Sequence, residues 1–146
     1  MSKIAEILKQ KGRTVTTIDN NETAYEAIEM MSSKRVGSLV VLKDGAACGI
    51  VTERDYLRQV TLKSKAPKEV KVNEIMTSNV VAVDPEYSVE ACMAIMTEKK
   101  FRHLPVFEDK KLVGLISIGD LVKQVCQDQE LHINYLNDYI TGKYPG

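Results

Sequence analysis

The chain lacks most of the features that betray function by composition, and each absence closes a class of activity. It has no excess charge: 20 Lys and Arg balance 20 Asp and Glu over 146 residues. A broad basic face that tracks a nucleic acid backbone is therefore not expected, and nucleic acid is not an expected partner. Apolar runs stop at about five residues, as in Ser38–Leu42, so no membrane partner is expected either. The opening MSKIAEILKQKGR has neither the apolar stretch nor the small-residue cleavage site of a signal peptide. A cytoplasmic location is the expectation, although a transit peptide removed on entry to an organelle would leave no trace.

Cysteine and histidine are also scarce. Cys48, Cys92 and Cys126 are odd in number and form no CxxC pair. Cys92 falls on a helical apolar stripe and Cys48 in a strand-like run, where cysteine packs as a small hydrophobe. Two histidines, His103 and His132, are too few for a zinc site, so no metal is expected. There is no G-x-x-x-x-G-K-[ST] loop, no nucleophile–base pairing, and no paired carboxylates near a motif apart from Glu53 and Asp55. The chain is read as a non-enzyme, with no catalytic residues and no catalytic cofactor.

What the chain does have is a repeat. A shift of 65 residues aligns Thr14–Val60 with Asn79–Val125 without a gap. Asp19 meets Asp84, Met31 meets Met96, Leu39 meets Leu104, Gly49 meets Gly114 and Asp55 meets Asp120. Each copy reads as an extended piece (Thr14–Ile18, Val80–Val83), a polar turn and a helix of about eleven residues. The helical apolar stripes are Ala24, Ala27, Ile28, Met31 and Val89, Cys92, Met93, Met96. Two apolar strands follow, Ser38–Leu42 with Ala47–Val51 around Lys43-Asp44-Gly45, and His103–Phe107 with Leu112–Ser117 around Glu108-Asp109-Lys110. A last helix begins at Thr52 or Ser117. A unit this small leaves one sheet face bare, so two should pack together. The fold class is α/β, with two tandem β-α-β-β-α repeats packed sheet to sheet as one pseudo-symmetric module.

The preamble repeats less strictly. Ile4-Ala5-Glu6-Ile7-Leu8 resembles Val72-Asn73-Glu74-Ile75-Met76, and three extra residues around Lys9-Gln10-Lys11 are inserted in the first copy. The resulting division is 4–62 for the first repeat, 63–71 for a linker, 72–127 for the second repeat, and 128–146 for a C-terminal extension. Within the extension, Glu130–Tyr139 reads as a separate amphipathic helix after Cys126–Gln129.

The strand-to-helix junction carries the chemistry. GIVTERDYLRQV and GLISIGDLVKQV share Gly, two apolar residues, Thr or Ser, two free positions and Asp. One reading is a capping box, in which Thr52 and Asp55 satisfy each other's backbone N–H groups. The other is an anion site, because a helix N-terminus presents free N–H groups and the positive end of a dipole. An Asp there repels phosphate, but suits a nucleotide whose ribose hydroxyls it accepts. Asp55 and Asp120 are thus candidate ribose ligands, with Thr52 and Ser117 as extra phosphate donors. Arg54 reads either as a phosphate contact or as a solvated helix residue, and Gly119 permits close approach of a ligand. On the strand after the first helix, Gly37-Ser38 offers a small platform for a purine, while Arg102-His103 offers donors suited to phosphate. Lys11-Gly12-Arg13 reads either as a second phosphate contact or as a surface turn.

These residues resemble the CBS domain pair, the tandem domains named for cystathionine β-synthase. The likeness rests on G-h-h-[ST]-x-x-D closing each unit and covers residues 1–127, with a softer likeness in the tail to small stand-alone CBS proteins. It implies nucleotides in clefts between the copies, each built from the early strands of one copy and the S/T-x-x-D of the other. Carried over, the favoured site combines Thr14, Thr16, Val36, Gly37 and Ser38 with Arg102, His103, Ser117, Gly119 and Asp120. The second candidate site combines Asn79, Val81 and Phe101, again with Arg102, with Thr52, Arg54 and Asp55.

Three functions remain open at this level. The leading one is a regulatory module that binds AMP, ADP, ATP or NAD and acts on a protein partner, which the sequence does not name, or on its own dimer. The alternatives are a protein–protein scaffold with empty clefts and a nucleotide-processing enzyme. A homodimer is expected because Tyr56, Leu57, Leu121 and Val122 exceed what the core can cover, with Tyr135, Leu136, Tyr139, Ile140 and Tyr144 packing beside the interface.

Overall fold

The structure, a computed structural model, describes residues 2–140, with side chains through residue 130 and at Asn134. The elements are α1 (Ile4–Lys11), β1 (Thr17–Asp19), α2 (Ala24–Lys34), β2 (Ser38–Lys43), β3 (Ala46–Thr52) and α3 (Glu53–Tyr56). After α3 the chain continues as a π-helical turn, Leu57–Thr61. Then come α4 (Val72–Ile75), α5 (Val89–Lys99), β4 (His103–Glu108), β5 (Lys111–Ser117) and α6 (Ile118–Ile140).

Sequence sets the helix starts. Thr23 and Ser88 stand just before α2 and α5, and their hydroxyls accept the N–H groups of Glu26 and Ala91 at 3.1 and 3.0 Å. Both helices end in left-handed residues, Arg35 and Lys100. The same logic gives tight hairpins: Asp44-Gly45 and Asp109-Lys110 all have positive φ, as a two-residue loop requires. β2 and β3 pair antiparallel, as do β4 and β5, and each hairpin carries an irregularity at the same place, between Val41 and Leu42 or Val106 and Phe107.

The first extended piece becomes β1, parallel to β2. Its counterpart Val80–Val83 does not become a strand; it keeps a single bridge from Val83 to Val106. The four residues before the turn at Asp84-Pro85 thus retain only one ladder position.

Each half has its own core, and the halves exchange their preambles. Ile4, Ile7 and Leu8 of α1 pack into the second core with Val89, Cys92, Met96, Leu104 and Ile116. Val72 and Ile75 of α4 pack into the first, with Ala27, Met31, Leu39 and Val51. Backbone bonds tie the exchange: the Ile4 N–H donates to the Tyr87 carbonyl, and the Val72 N–H to Glu22, at 2.9 and 2.8 Å. Two glycines make room for it. A Cβ at Gly49 would stand 2.7 Å from the Thr77 carbonyl oxygen, and one at Gly114 would overlap Leu8 Cδ2. The glycine that opens each repeated motif is therefore required by the swapped preamble of the other half.

Val40, Ile50 and Pro105 are also buried outside these two cores. Their β-strands are covered on both faces, which is why those strands read as unbroken apolar runs. The two sheets pack as the layers of one module.

Two expectations change. Leu121 is fully buried in the second core rather than spare, while Leu57 and Val122, 65 residues apart, stay 50% and 47% exposed. The expected separate helix over Glu130–Tyr139 is not separate: α6 runs unbroken from Ile118, since no Gly or Pro between Asp120 and Ile140 interrupts it. The side chains of Tyr135, Leu136, Tyr139 and Ile140, and Tyr144 altogether, lie outside the described residues.

Candidate functional site

Both repeated motifs form reciprocal capping boxes. The Thr52 N–H donates to Asp55 Oδ2 at 2.9 Å and the Asp55 N–H donates to Thr52 Oγ1 at 3.1 Å. Ser117 and Asp120 repeat this at 2.8 and 3.1 Å. The Glu53 N–H donates to the Gly37 carbonyl and the Ile118 N–H to the Arg102 carbonyl. Two of the first three N–H groups of each helix are thereby used internally. The anion site expected from the bare helix ends is correspondingly reduced, and charge recognition falls to side chains.

Two cavities lie where the repeats meet. The larger, about 530 Å³, is lined by Thr52, Glu53, Arg54, Asp55 and Arg58 from one side and by Thr77, Val80, Lys100, Phe101, Arg102 and His103 from the other, with Gly37 and Ile50. The smaller, about 310 Å³, is lined by Lys11, Thr14, Val15, Thr16, Val36, Gly37, Ser38, His103, Leu115 and Ser117. Site volumes for small molecules begin near 300 Å³, so the first is roomy and the second minimal.

The favoured grouping from the sequence is brought together in part. Thr14, Thr16, Val36, Gly37, Ser38, His103 and Ser117 surround the smaller cavity. Arg102 lines the larger one instead, and Gly119 and Asp120 line neither. Asp120 turns toward Lys11, whose Nζ lies 2.7 Å from Asp120 Oδ2 and 2.6 Å from the Leu115 carbonyl oxygen. The second grouping gathers Thr52, Arg54, Asp55, Phe101 and Arg102 on the larger cavity; Thr77 and Val80 line it rather than Asn79 and Val81. Arg58 and Lys100, which sequence reasoning missed, also face this space. The helical spacing from Arg54 to Arg58 was the available signal.

Electrostatics separates the cavities further. Burial pushes the Asp55 carboxyl above the ordinary aspartate value, and its bonds to Thr52 only partly offset this. Burial acts on Asp120 too, but there the Lys11 ammonium and the Ser117 N–H win, and the carboxyl falls below the ordinary value. His103 is lowered by burial first and by Lys11 second, which keeps the ring neutral at pH 7. The pair of cations expected with the small platform is therefore not there: Arg102 faces the other cavity and His103 carries no charge.

Known proteins share this fold. A family model described as the CBS domain matches twice, over residues 4–61 and 72–126. The chain is 38% identical over 150 aligned positions to the mitochondrial CBS domain-containing protein CBSX3 of Arabidopsis thaliana, covering 97% of this chain and 73% of that protein. Among solved structures it is similar to a candidate signal-transduction protein with CBS domains from Burkholderia ambifaria MC40-6. There the identity is 49% and the TM-score 0.81, covering 88% of this chain and 96% of that one. It is also similar to a hexameric CBS-CP12 protein from bloom-forming cyanobacteria, at 31% identity and TM-score 0.75, covering 84% and 70%.

Proposed function

The chain belongs to the CBS-domain family, and we propose that it is a regulatory module that binds an adenosine nucleotide between its repeats, without catalysis. The observation that carries this reading is the larger cavity, where a carboxylate with spare acceptor capacity stands among four basic side chains. Asp55 Oδ2 accepts from the Thr52 N–H, which leaves the carboxylate able to take two ribose hydroxyls. Arg54, Arg58, Lys100 and Arg102 supply phosphate donors, more than a monophosphate requires. Gly37 and Phe101 offer flat contact for a purine. The smaller cavity is the second and weaker site.

A melting screen against AMP, ADP, ATP and NAD tests this. A nucleotide at a hundred times its Kd should stabilise the wild type by about 2.7 kcal/mol, and Asp55→Asn, which can still cap Thr52, should reduce that gain. No shift with any of the four favours the scaffold, and hydrolysis of the nucleotide favours the enzyme. The same proposal includes a homodimer, supported by exposed Leu57 and Val122 at matching positions of the two repeats. Sedimentation should show it, with nucleotide changing association or shape. A cytoplasmic location completes the reading, against which stands only the mitochondrial location of the Arabidopsis relative.

A further inference from the structure

The smaller cavity is lined in part by Lys11, a residue with no counterpart in the other half. Matching the two preambles through their glycine contacts places Leu8, under Gly114, opposite Met76, under Gly49. The next residues, Lys9-Gln10-Lys11, are then the insertion noted in the sequence: α1 has 8 residues where α4 has 4. Those residues extend α1 far enough for Lys11 to reach across to the strand end and helix start of the second motif. Its ammonium is held by two acceptors, Asp120 Oδ2 and the Leu115 carbonyl oxygen. Asp55 has no such partner; what lines its cavity from the shorter preamble is Thr77.

We infer that Lys11 is an intramolecular plug that occupies the carboxylate of the second cleft and makes the module bind nucleotide asymmetrically, through the Asp55 cleft first. The inference rests on the nucleotide reading above. A ribose entering the second cleft must displace the ammonium from Asp120, so that cleft pays for opening whereas the Asp55 cleft stands ready. Asp120 lines a separate recess of about 150 Å³ together with Lys11, Gln10 and Lys123 and does not line the smaller cavity, whereas Asp55 lines the larger one. Lys11 sits partly exposed at the end of its helix, so it can swing out without unfolding anything.

Native mass spectrometry with AMP, read as nucleotides per chain, tests the plug in the wild type, Lys11→Met and Lys11→Arg. The wild type should bind one AMP per chain, with the second at least about tenfold weaker. Lys11→Met should tighten the second event about tenfold, and Lys11→Arg, which keeps the charge, should not. Two equal sites in the wild type overturn the plug, as does a second event that is unchanged or weakened in Lys11→Met; weakening identifies Lys11 as a phosphate ligand instead. Absence of binding in all three overturns the nucleotide reading, and the plug with it.

Discussion

The two halves of this chain share most of what makes the fold, apart from the missing counterpart of β1 and the longer first preamble, and differ in almost everything that faces the clefts. Capped helices, left-handed helix ends, bulged hairpins, motif glycines and exchanged preambles recur at the same offset. Around the clefts, Gly37 and Ser38 stand against Arg102 and His103, Glu53 and Arg54 against Ile118 and Gly119, and a free Asp55 against a salt-bridged Asp120. Packing constrains both copies equally because each supplies part of the other's core. The cleft surfaces carry no such mutual constraint, so they have been free to diverge into one open and one plugged site.

The strongest test of the shared frame is at the motif glycines, where the same position meets different obstacles. At Gly49 the obstacle is the Thr77 carbonyl, fixed by its own bond from the Ile50 N–H at 2.9 Å. At Gly114 it is a methyl group of Leu8, which can change rotamer at the cost of disturbing a packed core. Gly49→Ala should therefore cost on the order of 2–3 kcal/mol and Gly114→Ala nearer 1, measured by urea unfolding. Equal losses would mean that the two preambles seal their partner halves alike, and that the difference seen in the obstacles has no energetic meaning.

A smaller effect separates the two carboxylates. Because the folded pKa of Asp120 is depressed, its ionisation stabilises the protein above the ordinary value near pH 3.9, and that contribution is lost as pH falls through the depressed value. Asp55 has the opposite sign: its raised pKa makes the charged form a cost above the raised value, relieved as pH falls below the ordinary one. Asp120→Asn should then destabilise at pH 7 by under about 1 kcal/mol, since Lys11 is partly exposed, and less at pH 3. Asp55→Asn should be neutral to slightly stabilising at pH 7, with the difference fading on acidification. Parallel responses of the two variants would remove the electrostatic asymmetry between the clefts.

Much of this was legible because a repeat tests itself: a period seen once is a guess, but Ala24-Ala27-Met31 repeated as Val89-Cys92-Met96 identifies helix faces that are buried in both copies. The motif was legible as a capping box for the same reason. Which core each preamble joins was not, because Ile4, Ile7 and Leu8 declare an apolar stripe and say nothing of its partner. Nor was the pairing of Lys11 with Asp120, a contact across 109 positions made by an insertion that has no copy in the second preamble. Arg102 was misplaced because it precedes β4 and lines only the larger cavity, whereas His103, the first residue of β4, lines both, so the histidine alone reaches the small platform.

The smallest expected effect lies in the hairpins, where the copies share a backbone but not a residue. Gly45 and Lys110 occupy the second loop position at φ 80° and 67°. Glycine takes that region freely, whereas a side chain there costs about 1–2 kcal/mol. Replacing Lys110 with Gly should recover that strain and lose part of it to the greater freedom of the unfolded chain, about 0.4–1 kcal/mol. The net gain should be about 0.5 kcal/mol, seen as a raised unfolding midpoint with unchanged denaturant slope, and Gly45→Lys should lose a similar amount. Lys110 makes no side-chain hydrogen bond or ion pair among the described residues, so nothing else is forfeited. A loss on Lys110→Gly would mean that the second hairpin, unlike the first, depends on its lysine rather than tolerating it.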